Sequence, residues 1–310
     1  MTETPKRGIR RRVKPLKKKQ EHGEVTPRRR PVYPMSAERE NVRTALAYTE
    51  MAIKTVQPVI DAVMRQYEEP EDYRHDDAGD FLSSSRGMRL IAADRLSQKT
   101  GALAKLEKDT ARNGNMAKNL SIKDWNEQVK DALGYQINEE YYEDKLSRLV
   151  DQWIYENVSM ITSVPKEYLA NVEAIIRWGY ETKQPKVNVY RRLEKQIGLT
   201  KNKARLIGRD QLGSLNAKLT QYEHESAGVG KYKWITRRDD RVRDCHRALH
   251  GTIHKWSEPP PMWYMTKSRG IVYTGRYCHP GQDVACRCGA SPVFDIDIAK
   301  VMLADKFRPL

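Results

Sequence analysis

The sequence predicts a mainly α-helical protein with a small α+β module near its C-terminal end and a disordered basic arm at its N-terminus. Three observations predict this. The first 34 residues are crowded with Lys, Arg and Pro and carry few apolar residues. From residue 36 to about 226, apolar residues recur at helical spacing. From residue 231 the pattern changes to short alternating segments, then to proline, aromatic and cysteine-rich stretches. The chain has 310 residues, 39% hydrophobic and 31% charged, with a formal net charge of +15. That is enough material for two domains and tails. The charge favours polyanionic partners (nucleic acid, an anionic membrane or an acidic protein) and says nothing about fold.

Residues 1–34 read as the arm. Lys6, Arg7, Arg10, Arg11, Arg12, Lys14, Lys17, Lys18, Lys19, Arg28, Arg29 and Arg30 face only Glu3, Glu21 and Glu24, so this stretch supplies +9 of the net charge. It cannot bury enough apolar surface to offset chain entropy. Clustered cations of this kind neutralise phosphates and release counterions, giving salt-sensitive, sequence-independent DNA binding. A solvated tail, or a tail that binds an acidic protein surface, is the alternative. The stretch has no apolar h-region and does not read as a secretory signal. No run of about 18 apolar residues exists, so no membrane span is expected.

Helices follow in order. Ser36 is a candidate N-cap for a helix over 36–68. Its stripe of Val42, Leu46, Thr49, Ile53, Val56, Ile60, Val63 and Tyr67 alternates spacings of four and three. That stripe is either a core-facing side or a seam against another subunit, and Pro58 should kink the helix. Residues 70–87 read as a loop, and 88–110 as a helix that Asn113-Gly114-Asn115 breaks. Ser121-Ile122-Lys123-Asp124 resembles a capping box for the next helix. Another runs over about 138–160, and Pro165 begins the one that carries Leu169, Val172 and Ile176. A short helix over about 187–197 precedes one that Thr200 caps, with Ala204, Ile207, Leu215, Leu219 and Tyr222 on one face. Residues 35–164 thus read as a helical region, and 299–310 as a short tail.

In the module, Tyr232–Thr236 reads as a strand, about 241–249 as a helix, and 251–254 as a second strand. Residues 257–281 read as a long ordered loop packing aromatics. Four cysteines do not make a disulfide scaffold in a chain of this length, but three lie within 278–288 and mark one local site.

Several elements occur in a fixed order. Gly208-Arg209-Asp210-Gln211 lies on a basic helix that leads to Trp234. Asp240, Arg241, Arg243, His246 and Gly251 follow, then Pro280, Gly281 and Cys286-Arg287-Cys288. Pro292-Val293-Phe294 closes the series. Over roughly residues 165–295 this resembles the minor head protein family of tailed bacteriophages, the Mu F-like or head-morphogenesis family, which implies a separate domain over 165–298. The resemblance implies a non-enzymatic minor capsid protein made in the bacterial cytoplasm. It would sit inside the head near the portal vertex and act in assembly and in DNA retention or ejection. The implied partners are the portal protein, packaged double-stranded DNA, and scaffold or major capsid protein, with the helical region before residue 165 carrying portal or scaffold contacts. The chain ends soon after Pro292-Val293-Phe294, so no appended toxin or transferase is expected.

His246 holds the family's recurring position after Asp-x-Arg-x-Arg, which makes it the best third ligand for a structural zinc held by Cys286 and Cys288. Cys278 is the candidate fourth ligand, with His279 or Cys245 as alternatives. Adjacent Cys245 and His246 should diverge on a helix. Two other readings stay open: buried free thiols beside a hydrogen-bonded histidine, or one or two disulfides, which a reducing cytosol disfavours. Asp240, Arg241, Arg243 and His246 also suggest a catalytic cluster with His as base and Arg on a phosphate. The architectural alternative has Asp240 capping the next helix with the arginines paired or exposed, and Gly208-Arg209-Asp210-Gln211 orienting its own helix against the module through an Arg–Asp pair. His250 and His254 read as surface or packing residues. The rivals to a head protein are a metal-dependent phosphodiesterase acting on DNA and a non-enzymatic nucleic-acid-binding adaptor.

Overall fold

The computed structural model describes residues 23–67, 78–137, 140–237, 239–298 and 307–309. The fold is largely helical with a small β-rich module at its C-terminal end. Five helices form the body: α1 (Met35–Arg65), α2 (Ala78–Ser97), α3 (Thr100–Leu133), α4 (Glu140–Glu181) and α5 (Lys186–Ser226). Among the described residues no helix is long and apolar enough to cross a membrane.

The stripe on α1 packs inside this chain's own bundle. Ile53, Val56, Ile60, Val63 and Tyr67 meet Met88 and Ala92 of α2, Leu169, Val172 and Ile176 of α4, and Val189 and Leu193 of α5. Among the stripe's upper residues, Thr49 is buried while Val42 and Leu46 are half-buried. The core-facing reading therefore holds, and the helix runs on through Pro58.

Several expected breaks are helix interior. Residues 78–87, expected in a loop, belong to α2. Asn113-Gly114-Asn115 lies inside α3, because the glycine admits a neighbouring helix: a Cβ there would sit 2.9 Å from Trp153 and Val150 of α4. Ser121 does not cap; its hydroxyl donates to Glu223 on α5 at 2.9 Å. Pro165 lies within α4, so the division expected between residues 164 and 165 falls inside one helix. Thr200 turns its hydroxyl back to the carbonyl of Gln196 at 2.8 Å, and α5 is one helix from Lys186. At α1 the N-cap position is Pro34 rather than Ser36.

The module contains β3 (Lys231–Ile235), α6 (Asp244–Leu249), β4 (Ile253–Lys255), β5 (Pro261–Thr266), β6 (Gly270–Tyr277) and β7 (Gly289–Asp295). β1 (Glu24–Val25) joins them, giving an antiparallel sheet in the order β1-β7-β3-β4. The stretch expected to be an irregular loop forms a hairpin, with Trp263 opposite Tyr273 and Tyr264 opposite Val272. β2 (Tyr135–Ile137) pairs with β8 (Phe307–Pro309), so part of the expected tail lies in a ladder.

Of the arm expected over residues 1–34, the structure describes residues 23–34. Residues 1–22, with Lys6 through Lys19, lie outside the described residues. Residues 23–34 lie on the body instead of being disordered. Val25 pairs with Phe294, the N–H groups of Arg28 and Arg29 donate to Asp131 at 2.6 and 3.0 Å, and that of Val32 donates to Asp124 at 2.9 Å. Acidic side chains on α3 thus satisfy backbone donors that composition alone would leave to water. One core spans body and module: Trp125, Trp153, Leu212, Leu215 and Leu219 of the helices pack with Phe294 and Ile296.

Candidate metal centre

The middle of α5 is the floor on which the cysteine loop rests. A Cβ at Gly213 would lie 3.2 Å from the Cys286 carbonyl. A Cβ at Gly281 would lie 3.0 Å from that of Ala217, and its φ of +86° suits glycine. Asp210 accepts the N–H of Ala285 at 2.7 Å. Pro280, Gly281 and the cysteine pair are thereby fixed against the helix.

On the other side, α6 presents His246, which is buried. Gly251, with φ of +85°, ends that segment and donates its N–H to the carbonyl of Trp234 at 2.8 Å. The Trp234 and His246 rings lie 5.5 Å apart. The Nδ1 of His246 is 3.6 Å from the Cys286 sulfur and 3.6 Å from the Cys288 sulfur. All three ligand atoms lie within 4.8 Å of one another. Zinc bonds of about 2.3 Å to sulfur and 2.0–2.1 Å to nitrogen, at tetrahedral angles, place nitrogen and sulfur about 3.6 Å apart. One nitrogen equidistant from two sulfurs fits a shared ion better than a hydrogen bond, which would favour one of them. The donor set is therefore capable of holding a metal ion.

Asp283 stands behind the histidine, its carboxylate 3.4 Å from Nε2. Arg243 and Arg276 reach the same carboxylate at 2.6 and 2.7 Å, and the N–H of Val284 donates to it at 3.0 Å. Burial alone would raise the Asp283 pKa. Its contact with His246 and the charges of Arg243 and Arg276 outweigh burial and hold it at about 2. A carboxylate on the far nitrogen is the usual means of orienting a ligating imidazole. The hydrogen bond from Cys288 comes first in lowering the Cys286 thiol well below its ordinary value, with His246 adding to it. Cys286 sulfur also faces the N–H groups of Gly281 and Cys288, each at 3.4 Å. Cys286 is thus set to be a thiolate, the form that binds metal.

The expected fourth ligand is not in the cluster. Cys278 is half-buried at the end of β6, Cys245 packs into the module core with Trp256 and Met262, and the Nδ1 of His279 lies 2.9 Å from the Tyr232 hydroxyl. All four cysteines are free, so the disulfide reading does not hold. Asp240 does not cap α6, whose N-cap position is Arg243. Arg243 pairs with Asp283, while Arg287 donates to Asp239 at 2.7 Å. Arg209 lies 3.7 Å from Glu38 of α1. The described residues present no catalytic arrangement and no nuclease motif, and the His/Cys/Cys triad lacks catalytic geometry. His250 accepts the N–H of Thr236 at 3.0 Å and His254 packs near Tyr232, as packing residues. Of the described arm cations, Arg28 and Arg30 are exposed and Arg29 pairs with Asp124 and Glu127. Asp283 belongs to the Pro280-Gly281-Gln282-Asp283 element of the ordered series, yet sequence reasoning assigned it no role, although an acid so close to two cysteines was a usable signal.

Residues 179–291 match the family described as phage Mu protein F like protein, about a third of the chain. The match begins near the end of α4 and covers α5, the cysteine loop and most of the module. An uncharacterized protein of Haemophilus influenzae is 26% identical over 258 residues, which is 82% of this chain and 54% of the relative. The chain thus spans about half the length of that relative. No solved structure matches the chain.

Proposed function

We propose that this chain is a minor head protein of a tailed phage, housed in the head near the portal vertex and acting in assembly and in DNA retention or ejection. The carrying observation is the match over residues 179–291, which takes in the whole His246, Cys286 and Cys288 cluster and the helix that supports it. The strongly positive charge supports contact with packaged DNA, through the basic residues of the N-terminal stretch. Portal or scaffold contacts would fall to the helical region before residue 165.

Within this reading His246, Cys286 and Cys288 hold a structural zinc that ties α6 to the cysteine loop. The ion would supply a cross-link in a module too small to bury a large core of its own. Asp283 orients His246 for that role, and Asp210 holds the loop that carries the cysteines.

Quantitative mass spectrometry of gradient-purified virions, referred to the major capsid protein, tests the assignment. A small fixed copy number is expected. Absence from both mature particles and proheads would overturn it.

A further inference from the structure

A cavity of about 450 Å³, walled in part by His246, Cys286 and Cys288 of the metal cluster, opens between the start of α1, the middle of α5 and the loops flanking α6. Six guanidinium groups line it: Arg39, Arg209, Arg237, Arg241, Arg243 and Arg287. Among the described residues its wall carries a single carboxylate, Glu38, which lies 3.7 Å from Arg209, along with the Cys286 sulfur. Asp283 and Asp239 engage Arg243 and Arg287 from outside the cavity. Arg237 lies over the Tyr33 ring, 5.2 Å from its centre. Arg39 and Arg241 have no ion-pair partner among the described residues, and both are exposed.

Arg237, Arg241 and Arg243 share one short basic stretch, and the fold brings Arg39 of α1, Arg209 of α5 and Arg287 of the cysteine loop against it. Among the described residues no lysine lines the cavity, although the chain holds many. That choice matters chemically. An ammonium is a point charge, whereas a guanidinium presents a planar fork matched to two oxygens of one anion. A carboxylate has two oxygens and one charge, and would leave most of these forks unused. A phosphoryl group offers three oxygens and up to two charges, and a diphosphate offers more. The volume lies within the roughly 300–1,000 Å³ range of small-ligand sites. It suits a nucleotide-sized unit and is far too small for a duplex.

We propose that this arginine-lined cavity is a phosphoryl-binding site on the folded module, separate from the N-terminal basic stretch. Its ligand is either a phosphate of a nucleic-acid strand or a free diphosphate-class anion. This goes beyond the head-protein reading and can fail without it.

The test uses the full chain as purified. Titration calorimetry with pyrophosphate is compared with anisotropy of a labelled single-stranded oligonucleotide carrying a terminal phosphate. The double variant Arg39→Ala/Arg241→Ala removes two exposed, unpaired guanidinium groups, and circular dichroism with thermal melting verifies its fold. Wild type should bind pyrophosphate saturably, and the double variant about tenfold or more weakly. The charge-conserving pair Arg39→Lys/Arg241→Lys should recover only part of that loss, because the fork is gone. A parallel loss of oligonucleotide binding would identify strand phosphate as the ligand. Loss for pyrophosphate alone would identify a free anion. Equal binding by wild type and the alanine variant would assign binding to the N-terminal stretch and overturn the proposal, as would failure of wild type to bind either probe.

Discussion

Asp210, midway along α5, accepts the backbone N–H of Ala285 at 2.7 Å, joining residues 75 positions apart. Ala285 has a φ of 53°, in the left-handed region that an alanine rarely occupies. That conformation points its N–H at the helix and turns the chain so that Cys286 and Cys288 face His246. Asp210→Ala should cost about 1–3 kcal/mol by leaving that donor without its acceptor. Asp210→Asn, which keeps a carbonyl oxygen, should lose much less. Thermal denaturation of the three proteins checks this, and equal melting temperatures would show that the loop is held by its cysteines alone.

The metal cluster makes a second set of expectations. The purified chain should carry one zinc, measurable by elemental mass spectrometry. A strong chelator should remove it and lower the melting temperature. His246→Ala, Cys286→Ser and Cys288→Ser should each abolish stoichiometric binding, because each removes one of three converging donors. Cys278→Ser should retain the metal, since that thiol lies outside the triad. Loss of zinc in Cys278→Ser would mean that the end of β6 rearranges to supply a fourth ligand.

Between α3 and α5 a buried carboxylate sets a pH dependence. Burial, and then the nearby charge of Asp124, raises the Glu223 pKa to about 8, against the opposing hydrogen bond from Ser121. The folded state therefore holds this proton where the unfolded chain, near 4.5, has released it. Its contribution is fully present below pH 4.5 and is lost as pH rises toward 8. The slope over that window is at most about 1.4 kcal/mol per pH unit. Asp124, raised to about 6 mainly by burial, acts in the same direction. Glu223→Gln should flatten the alkaline side, matching wild type near pH 4 and exceeding it increasingly toward pH 8. Urea denaturation across this range measures it, and parallel curves would refute the buried proton.

His224, next along α5, works in reverse. It is fully buried between Trp125 and Trp256, and burial lowers its pKa to about 3. The unfolded histidine gains a proton below about pH 6.5 while the folded one resists it, so stability falls as pH drops from 6.5 toward 3. His224→Phe should remove that part of the acid sensitivity. Denaturation midpoints at pH 7 and pH 4 should lie closer together in the variant than in wild type.

Much of this arrangement could be read in advance, and the failures share a cause. The apolar stripes of α1, α4 and α5 were legible because burial follows helical period over many residues. His246, Cys286 and Cys288 were legible because their side-chain chemistry is rare and their order distinctive. Asn113-Gly114-Asn115, Ser121, Pro165 and Thr200 look like punctuation, yet each lies inside a helix. Tertiary contacts explain two of them: Gly114 admits Trp153, and Ser121 reaches Glu223. Local propensity is a weak prior against such packing. The pairing of Val25 with Phe294 and the approach of Arg39, Arg209 and Arg287 to the basic stretch at 237–243 depend on long-range geometry, which no local pattern encodes.

Gly208 gives the sharpest test of how tightly the bundle is drawn together. An added Cβ would lie 2.8 Å from the Val42 Cα and 3.0 Å from the Asn41 carbonyl oxygen, both backbone atoms of α1. Asn41 donates to the Gly208 carbonyl at 2.8 Å and accepts from Asn157 of α4 at 2.9 Å, so three helices meet at this residue. Backbone cannot rotate away as a side chain can. At Gly114 the near atoms belong to Trp153 and Val150 side chains, which can shift by rotamer adjustment. In an isolated helix either change to alanine would gain up to about 1 kcal/mol from propensity. Overpacking typically costs about 1–3 kcal/mol, occasionally more, and should exceed that gain at both sites. Gly208→Ala should therefore destabilise the protein more than Gly114→Ala, with the difference read from chemical denaturation midpoints at constant slope. Because Gly208 immediately precedes Arg209 and Asp210, forcing α1 and α5 apart there should also weaken zinc binding, whereas Gly114→Ala should leave metal affinity unchanged. A Gly208→Ala protein as stable as wild type would mean that α1 approaches α5 less closely than these distances require.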